Sequence, residues 1–87
     1  MTAKHIVDLR GVILPLNLLK CKNCLKSMEK GDVLEVFIED VDVVQDLRTI
    51  VKRSNDEIVY TKNRDDYICL GIKKGPRNRF NIFLHGR

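Results

Sequence analysis

The chain has 87 residues, of which 44% are hydrophobic and 32% charged, so it makes one domain with a small core and is not a disordered chain. No apolar run approaches the roughly 18 residues that a membrane helix needs, and the N-terminus lacks a signal-peptide segment. We therefore expect a cytoplasmic protein without a membrane partner, whose three cysteines are free thiols.

The formal net charge of +4 conceals a segregation along the chain. Residues 1–31 and 67–87 are basic, with net charges of +4 and +5, whereas residues 32–66 carry −5. A chain with this distribution is dipolar and can be steered toward an acidic partner. A solvated surface is the simpler interpretation.

The first two predicted elements are a strand and a helix. The β-rich segment His5–Leu9 ends before Gly11 and is predicted to be a strand. Pro15 suits the first position of a helix, because its missing N–H would be unpaired there anyway. Helical spacing continues over Leu16–Lys30 and stops at Gly31.

One arc of this helix is predicted to face the core, because its residues are apolar or carry sulfur. The arc consists of Leu18, Cys21, Cys24, Leu25 and Met28. Outside it lie two leucines and four lysines, namely Leu16, Leu19, Lys20, Lys22, Lys26 and Lys30.

A second strand and a second helix follow. Asp32–Glu39 alternates in polarity as a half-buried strand does. Asp40 or Asp42 can cap the next helix, Asp42 with capping-box spacing. The helix is predicted to end near Ser54, and Asn55 to stop it in a left-handed conformation. Its apolar stripe is Val43, Val44, Leu47, Ile50 and Val51.

Two strands complete the pattern. Glu57–Lys62 and Tyr67–Lys74 are predicted strands joined by the polar turn Asn63–Asp66. The order β-α-β-α-β-β favours an α+β fold, a two-layer α/β sandwich with both helices on one face of the sheet. The other face of the sheet is then open.

Several motifs occur in the order typical of one family. Asp8–Gly11 closes the first strand, and a lysine-rich helix precedes the Gly-x-x-Leu-x-Val motif at Gly31–Val36. Asp46 and Leu47 match an Asp-Ile pair in the second helix, and Ile72–Lys74 matches a closing strand. Over residues 5–74 the chain resembles the TusA/SirA family of small sulfur-carrier proteins.

The resemblance implies a mixed four-stranded sheet in the order 1-2-4-3, with the fourth strand antiparallel to the others. It implies a TusA/SirA-like domain over residues 1–74. Residues 75–87 would be a basic C-terminal extension, either an extra strand or a flexible tail.

The family's active-site motif is changed in this chain. In the family, a cysteine directly before the helix-opening proline carries a persulfide sulfur, within Cys-Pro-x-Pro. The corresponding residues here are Leu14, Pro15, Leu16 and Asn17. Because leucine has no nucleophile, the resemblance implies a degenerate active site at which persulfide transfer is impossible.

Cys21 and Cys24 have the C-x-x-C spacing of dithiol redox centres. Such centres sit at a helix N-terminus, which stabilises the thiolate, whereas Cys21 is about two turns into the predicted helix. Burial of both as small hydrophobic side chains is the favoured interpretation. Cys69 is expected to pack within the fourth strand.

No metal site and no cofactor are predicted. A zinc site would need two ligands besides the C-x-x-C pair, and only Cys69, His5 and His85 remain apart from carboxylates. Neither histidine has a partner that the sequence identifies.

The open face of the sheet is expected to carry an apolar patch of Phe37, Tyr67 and Cys69. The C-terminal run Arg79–Leu84 alternates in polarity. We expect this tail, or a second copy of the chain, to cover the patch with Phe80, Ile82 and Leu84.

The preferred functional hypothesis is a non-catalytic TusA/SirA-like adaptor or regulator of sulfur relay that binds a protein, as a monomer or weak homodimer. It needs no unobserved chemistry. Leu14, Leu16 and Leu19 would either form an exposed apolar group where the family presents its thiol, or pack into the core or against the tail. The wider binding surface would be Leu16, Leu19, Lys20, Lys22, Lys26 and Lys30.

Two alternatives remain open. The first is a sulfur carrier or sulfurtransferase that uses Cys21 or Cys24 at a shifted site. The second is a nucleic-acid-binding module in which the lysines of the first helix contact phosphates. The small number of aromatic residues argues against a base-stacking version of the second.

Overall fold

The computed structural model describes residues 3–76. Its elements are β1 (Lys4–Asp8), α1 (Leu16–Ser27), β2 (Val33–Ile38), α2 (Val41–Arg53), β3 (Glu57–Asn63) and β4 (Ile68–Lys73). The strands form one sheet in the order β1-β2-β4-β3, with β1 parallel to β2 and β4 antiparallel to both of its neighbours. The predicted fold class and the implied strand order are confirmed, whereas the prediction of an extra strand or tail falls on residues outside those described.

Both helices pack on one face of the sheet, where the core lies. The predicted arc of α1 and the stripe of α2, except Ile50, meet the inward side chains of β2 and β4. Leu18 and Cys24 are only partly buried at the margin of this core. The fully buried centre is made of Cys21, Leu34, Val36, Leu47, Leu70 and Ile72.

Helix α1 ends at Ser27 rather than at the predicted Lys30. Met28 is already extended, with φ of −87° and ψ of 156°. The reason is the turn into β2: the Asp32 carboxylate accepts the Glu29 N–H at 3.2 Å, and Gly31 takes a φ of 92°. A side chain that satisfies these N–H groups competes with continued helix.

Helix α2 begins with Asp40 as its cap. Its carboxylate accepts the Asp42 N–H at 2.8 Å, so Asp40 rather than Asp42 is the capping residue. The helix ends at Arg53, and Asn55 has the predicted left-handed conformation, with φ of 65°.

The strand boundaries differ from the predicted ones by one or two residues. β1 includes Lys4 but not Leu9, and β3 extends to Asn63. β2 is shorter at both ends than the predicted Asp32–Glu39, and β4 is shorter than the predicted Tyr67–Lys74. Differences of this size are usual at strand ends, and the Leu9 N–H still donates to the Phe37 carbonyl at 2.9 Å just beyond the end of β1.

The two ends of the sandwich differ in what they hold. β1 leads into α1 and β2 leads into α2 at the same end of the sheet, because the two strands are parallel. We call this the upper end. The lower end holds the C-termini of both helices, the turn before β2, the start of β3 and the end of β4.

Candidate functional site at the start of the first helix

The loop from β1 to α1 is fastened to the connection between β2 and α2. Gly11 has a φ of 77° and donates its N–H to Glu39 Oε1 at 2.7 Å. A left-handed φ favours glycine, so this residue lets the loop turn back toward the helices. The turn places Leu14 and Pro15 at the start of α1.

Helix α1 starts without a side-chain cap. Pro15 holds the N-cap position and has no side-chain acceptor for the first N–H groups of the helix, although Asn17 within the first turn accepts the Leu18 N–H. Other helices place Ser, Thr, Asp or Asn there. The prediction that Pro15 takes the first helical position is wrong by one residue, because the helix begins at Leu16 and Pro15 is its N-cap.

Four apolar side chains project into solvent around this helix start. Ile13 is 73% exposed, Leu14 51%, Leu16 50% and Leu19 47%. We call these four residues the apolar surface. Single exposed leucines are common in soluble proteins, but a contiguous exposed patch marks interaction sites.

A cleft of about 360 Å³ lies beside the apolar surface. Its floor is apolar, and Glu39 and Asp40 line one side. The exposed Val41 begins α2 directly after Asp40. The upper end thus combines exposed apolar side chains with an acidic margin.

Asn17 and Asp46, both singled out by the sequence motifs, occupy different places. Asn17 is buried at the cleft, and its Oδ1 accepts the Leu18 N–H at 2.7 Å. Asp46 is exposed on α2 and does not line the cleft. Sequence analysis missed the burial of Asn17, although its position four residues before the buried Cys21 carried the signal.

None of the three cysteines is a reactive thiol by its environment. Cys21 is fully buried, and burial raises its pKa to about 12. Burial also raises the pKa of the half-buried Cys24. The pKa of Cys69 is raised by burial and by the neighbouring Glu35 carboxylate. At neutral pH each thiol is protonated, and the protonated form is a poor nucleophile.

The predicted binding surface is divided between the two ends of the molecule. Leu16 and Leu19 lie at the upper end with the cleft, and Lys20 follows them on α1. Lys26 and Lys30 instead line a second cleft at the lower end, together with Lys74. The structure therefore does not bring the leucines and all four lysines of the first predicted helix into one site.

Side chains of the domain itself shield part of the open face of the sheet, where Phe37 and Tyr67 are half-buried. The rings of Phe37 and Tyr67 lie 5.4 Å apart, and the Arg10 guanidinium lies 4.6 Å from the Tyr67 centroid. Two hydrogen bonds to Asp8, at 2.8 and 2.9 Å, hold Arg10 in place. They lower the pKa of Asp8 to about 2.

The third member of the predicted patch, Cys69, is covered as well. It is buried next to Glu35, whose Oε2 accepts the Tyr60 hydroxyl at 2.6 Å. The Tyr60 ring lies directly over Gly71, where a Cβ would collide with it. Phe37 and Tyr67 are therefore neighbours on the open face as predicted, and Cys69 is buried there beside Glu35. The covering role of Phe80, Ile82 and Leu84 falls outside the described residues.

His5 has a partner that the sequence did not reveal. Its Nε2 lies 3.1 Å from Asp32 Oδ2.

Across residues 3–76, no three His, Cys, Asp or Glu side chains are grouped as a metal ion would require. In the same range, no helix has the length and apolar character needed to cross a membrane.

A family model described as "Sulfurtransferase TusA" matches residues 5–74, the range that contains the sheet, both helices and the apolar surface. The chain belongs to the TusA family. A "Putative sulfur carrier protein" of Archaeoglobus fulgidus is 35% identical to this TusA-family chain over 69 residues, which cover 79% of this chain and 94% of the relative. The "Sulfur carrier protein TusA" of Allochromatium vinosum is 31% identical over 68 residues, 78% of this chain and 90% of the relative. No solved structure gives a significant match.

Proposed function

We propose that this TusA-family chain is a non-catalytic adaptor of sulfur relay that binds a protein partner through the apolar surface. The observation that carries the proposal is the exposure of Ile13, Leu14, Leu16 and Leu19 at the start of α1. By its resemblance to the family, the chain has Leu14 at the position where the family carries the sulfur-bearing cysteine. The names of the two relatives, both sulfur carriers, support a place in sulfur relay.

The chemistry of the upper end suits a protein partner. Fully burying a leucine side chain contributes about 1.5–3 kcal/mol, so burying the exposed halves of Leu14, Leu16 and Leu19 contributes about 1 kcal/mol each. The carboxylates of Glu39 and Asp40 at the margin favour a partner with basic residues around an apolar centre. The bond from Gly11 to Glu39 fixes the loop before binding, which lowers the entropy cost.

The alternative of a sulfur carrier with a shifted site is less well supported. It requires Cys21 or Cys24 to accept a sulfur atom as a thiolate. Cys21 has no exposed surface, and the pKa values of both thiols are raised. Cys24 is the only one of the two with an accessible fraction.

The binding test compares two double variants with the same change in charge. L16K/L19K alters the apolar surface, whereas I6K/V59K alters two exposed apolar residues on β1 and β3. Each is titrated against a cysteine desulfurase by calorimetry. We expect wild-type affinity for I6K/V59K and a loss of at least about tenfold for L16K/L19K, as for central interface residues. Equal affinities, or no binding by the wild-type chain, would contradict the proposal.

A second measurement addresses sulfur transfer itself. The chain is incubated with the desulfurase and labelled cysteine, and its intact mass is recorded without reductant. We expect no added sulfur atom on the wild-type chain. A gain of one sulfur atom that disappears in C24S, but not in C69S, would establish the shifted-site carrier instead.

A further inference from the structure

A second potential binding surface lies at the lower end, opposite the apolar surface. Lys26, Lys30 and Lys74 line a cleft of about 270 Å³. Lys30, Lys73 and Lys74 line a neighbouring cleft of about 340 Å³. A third, smaller cleft is flanked by Lys22, Lys26 and Lys74. We call these five lysines the basic surface.

Backbone hydrogen bonds hold the two segments of the basic surface together. Gly31 donates its N–H to the Lys74 carbonyl at 2.8 Å, and Lys74 donates its own N–H to the Asp32 carbonyl at 2.8 Å. Gly75 donates to Asp56 Oδ1, also at 2.8 Å. Lysines that are distant in sequence are therefore presented on a fixed scaffold.

Most of these positive charges are not neutralised within the domain. Among residues 3–76, Lys74 is the one lysine of the basic surface that forms an ion pair, at 3.9 Å from Asp56. Glu29 and Glu57 also line the clefts, but neither lies within 4.0 Å of a basic group in that range. Lys22 and Lys26, four residues apart on α1, repel each other.

The composition of this surface distinguishes between two classes of acidic partner. Protein interfaces have an apolar centre inside a polar rim. Here the apolar Leu25 and Ile50 line only the smallest cleft, of about 80 Å³, and charged residues dominate the linings of the two larger ones. Interfaces with nucleic acids are more polar and strongly positive. Within the part of the chain that the structure describes, no aromatic side chain on which a base could stack lines these clefts.

We propose that the basic surface binds the phosphate backbone of a nucleic acid without reading its sequence. The four exposed lysines replace the counterions of the phosphates, which supplies the affinity. Lys74, whose side chain is 15% exposed and pairs with Asp56, contributes less. Pro76 lies at this end of the molecule, where its carbonyl accepts a hydrogen bond from the Asn55 side-chain amide at 3.1 Å. The proposal is independent of the adaptor function, which uses the opposite end.

The test measures the anisotropy of a fluorescent single-stranded RNA of mixed sequence as the full-length chain is added. K26Q/K30Q removes two charges from the basic surface. K20Q/K62Q removes two charges elsewhere, from α1 and β3, and so has the same net charge. At about 50 mM salt we expect K26Q/K30Q to bind at least about tenfold more weakly and K20Q/K62Q to bind as the wild type does.

The salt dependence gives a second readout. Each phosphate contact on a single strand contributes about 0.7 to the slope of log affinity against log salt, so the slope should fall by about 1.4 in K26Q/K30Q alone. Equal losses in the two variants would mean that net charge alone attracts RNA, and would overturn the proposal. So would the absence of binding by the wild-type chain, or displacement of the RNA by poly-glutamate at equal charge concentration, which would indicate an acidic protein partner.

Discussion

The upper and lower ends of this small domain are built from the same two strand–helix units, yet they present opposite chemistry. The upper end exposes four apolar side chains beside Glu39 and Asp40. The lower end exposes lysines from α1 and β4 around polar clefts. An 87-residue chain can thus carry two separate surfaces, because the parallel β1 and β2 send both helices from one end of the sheet to the other.

Part of the charge difference has a purely structural cause. Asp40 and Asp42 lie at the N-terminus of α2, and Lys52 and Arg53 lie in its last turn. Each sign complements the helix dipole at its end. The dipole does not explain Lys30, Lys73 and Lys74, which lie outside the helices, so only the lower end carries a surplus of charge that needs another reason.

The largest expected effect concerns the glycines of the two ends. In G75A, the new Cβ would collide with the backbone carbonyl of Asn55, and backbone cannot move aside cheaply. We expect a loss of about 3 kcal/mol in the free energy of unfolding, measured by urea denaturation, together with weaker RNA binding.

G11A is the matched variant at the upper end. A Cβ on Gly11 meets no atom within 4 Å, and only its φ of 77° is unfavourable. We expect a loss of about 1 kcal/mol. Equal losses of stability in the two variants would show that the close packing around Gly75 does not fix the geometry of the lower end.

A smaller effect is expected from D32N, which weakens the turn that carries Lys30. The pKa of Asp32 is lowered because its carboxylate accepts N–H groups from Ala3 and Glu29 and a contact from His5. A lowered folded pKa stabilises the fold above the unfolded pKa of about 3.9, and this contribution is lost as the pH falls through the folded value. D32N should therefore melt earlier than the wild type at neutral pH, and the difference should shrink below about pH 4.

E39Q is the control for D32N. It changes one carboxylate at the upper end, where its oxygen still accepts the Gly11 N–H, whereas D56N would itself alter the lower end. A melting difference that stayed constant down to acid pH in D32N would contradict the assigned role of the Asp32 charge.

The smallest expected effect concerns the rate at which the thiols are alkylated in the folded protein, which reports whether either end exposes a thiol. Cys21 is buried and Cys24 half-buried, with raised pKa values. We expect native alkylation at neutral pH to be at least about tenfold slower than for a free cysteine, faster at Cys24 than at Cys21, and accelerated by alkali. Fast stoichiometric labelling of either cysteine would favour the sulfur-carrier alternative over the adaptor proposal.

Much of the fold could be predicted from local sequence. Polarity alternation located β2, the apolar stripe located α2, and Asn55 marked the helix stop, since these depend on neighbouring residues. Leu16 and Leu19 could be predicted to lie off the core because they fall outside the arc of α1. Pro15 located the start of α1 to within one residue.

Other features were decided only by the tertiary structure. The early end of α1 depends on the Asp32 carboxylate, and the partner of His5 is the same carboxylate, 27 residues away. Lys30 and Lys74 meet because β4 returns beside β2, which no local pattern encodes. The chain by itself determined which residues form helices, strands and turns, through near-neighbour preferences and periodicity. The assembly of the lysines into one surface, and their separation from the leucines, required strand pairing between distant segments.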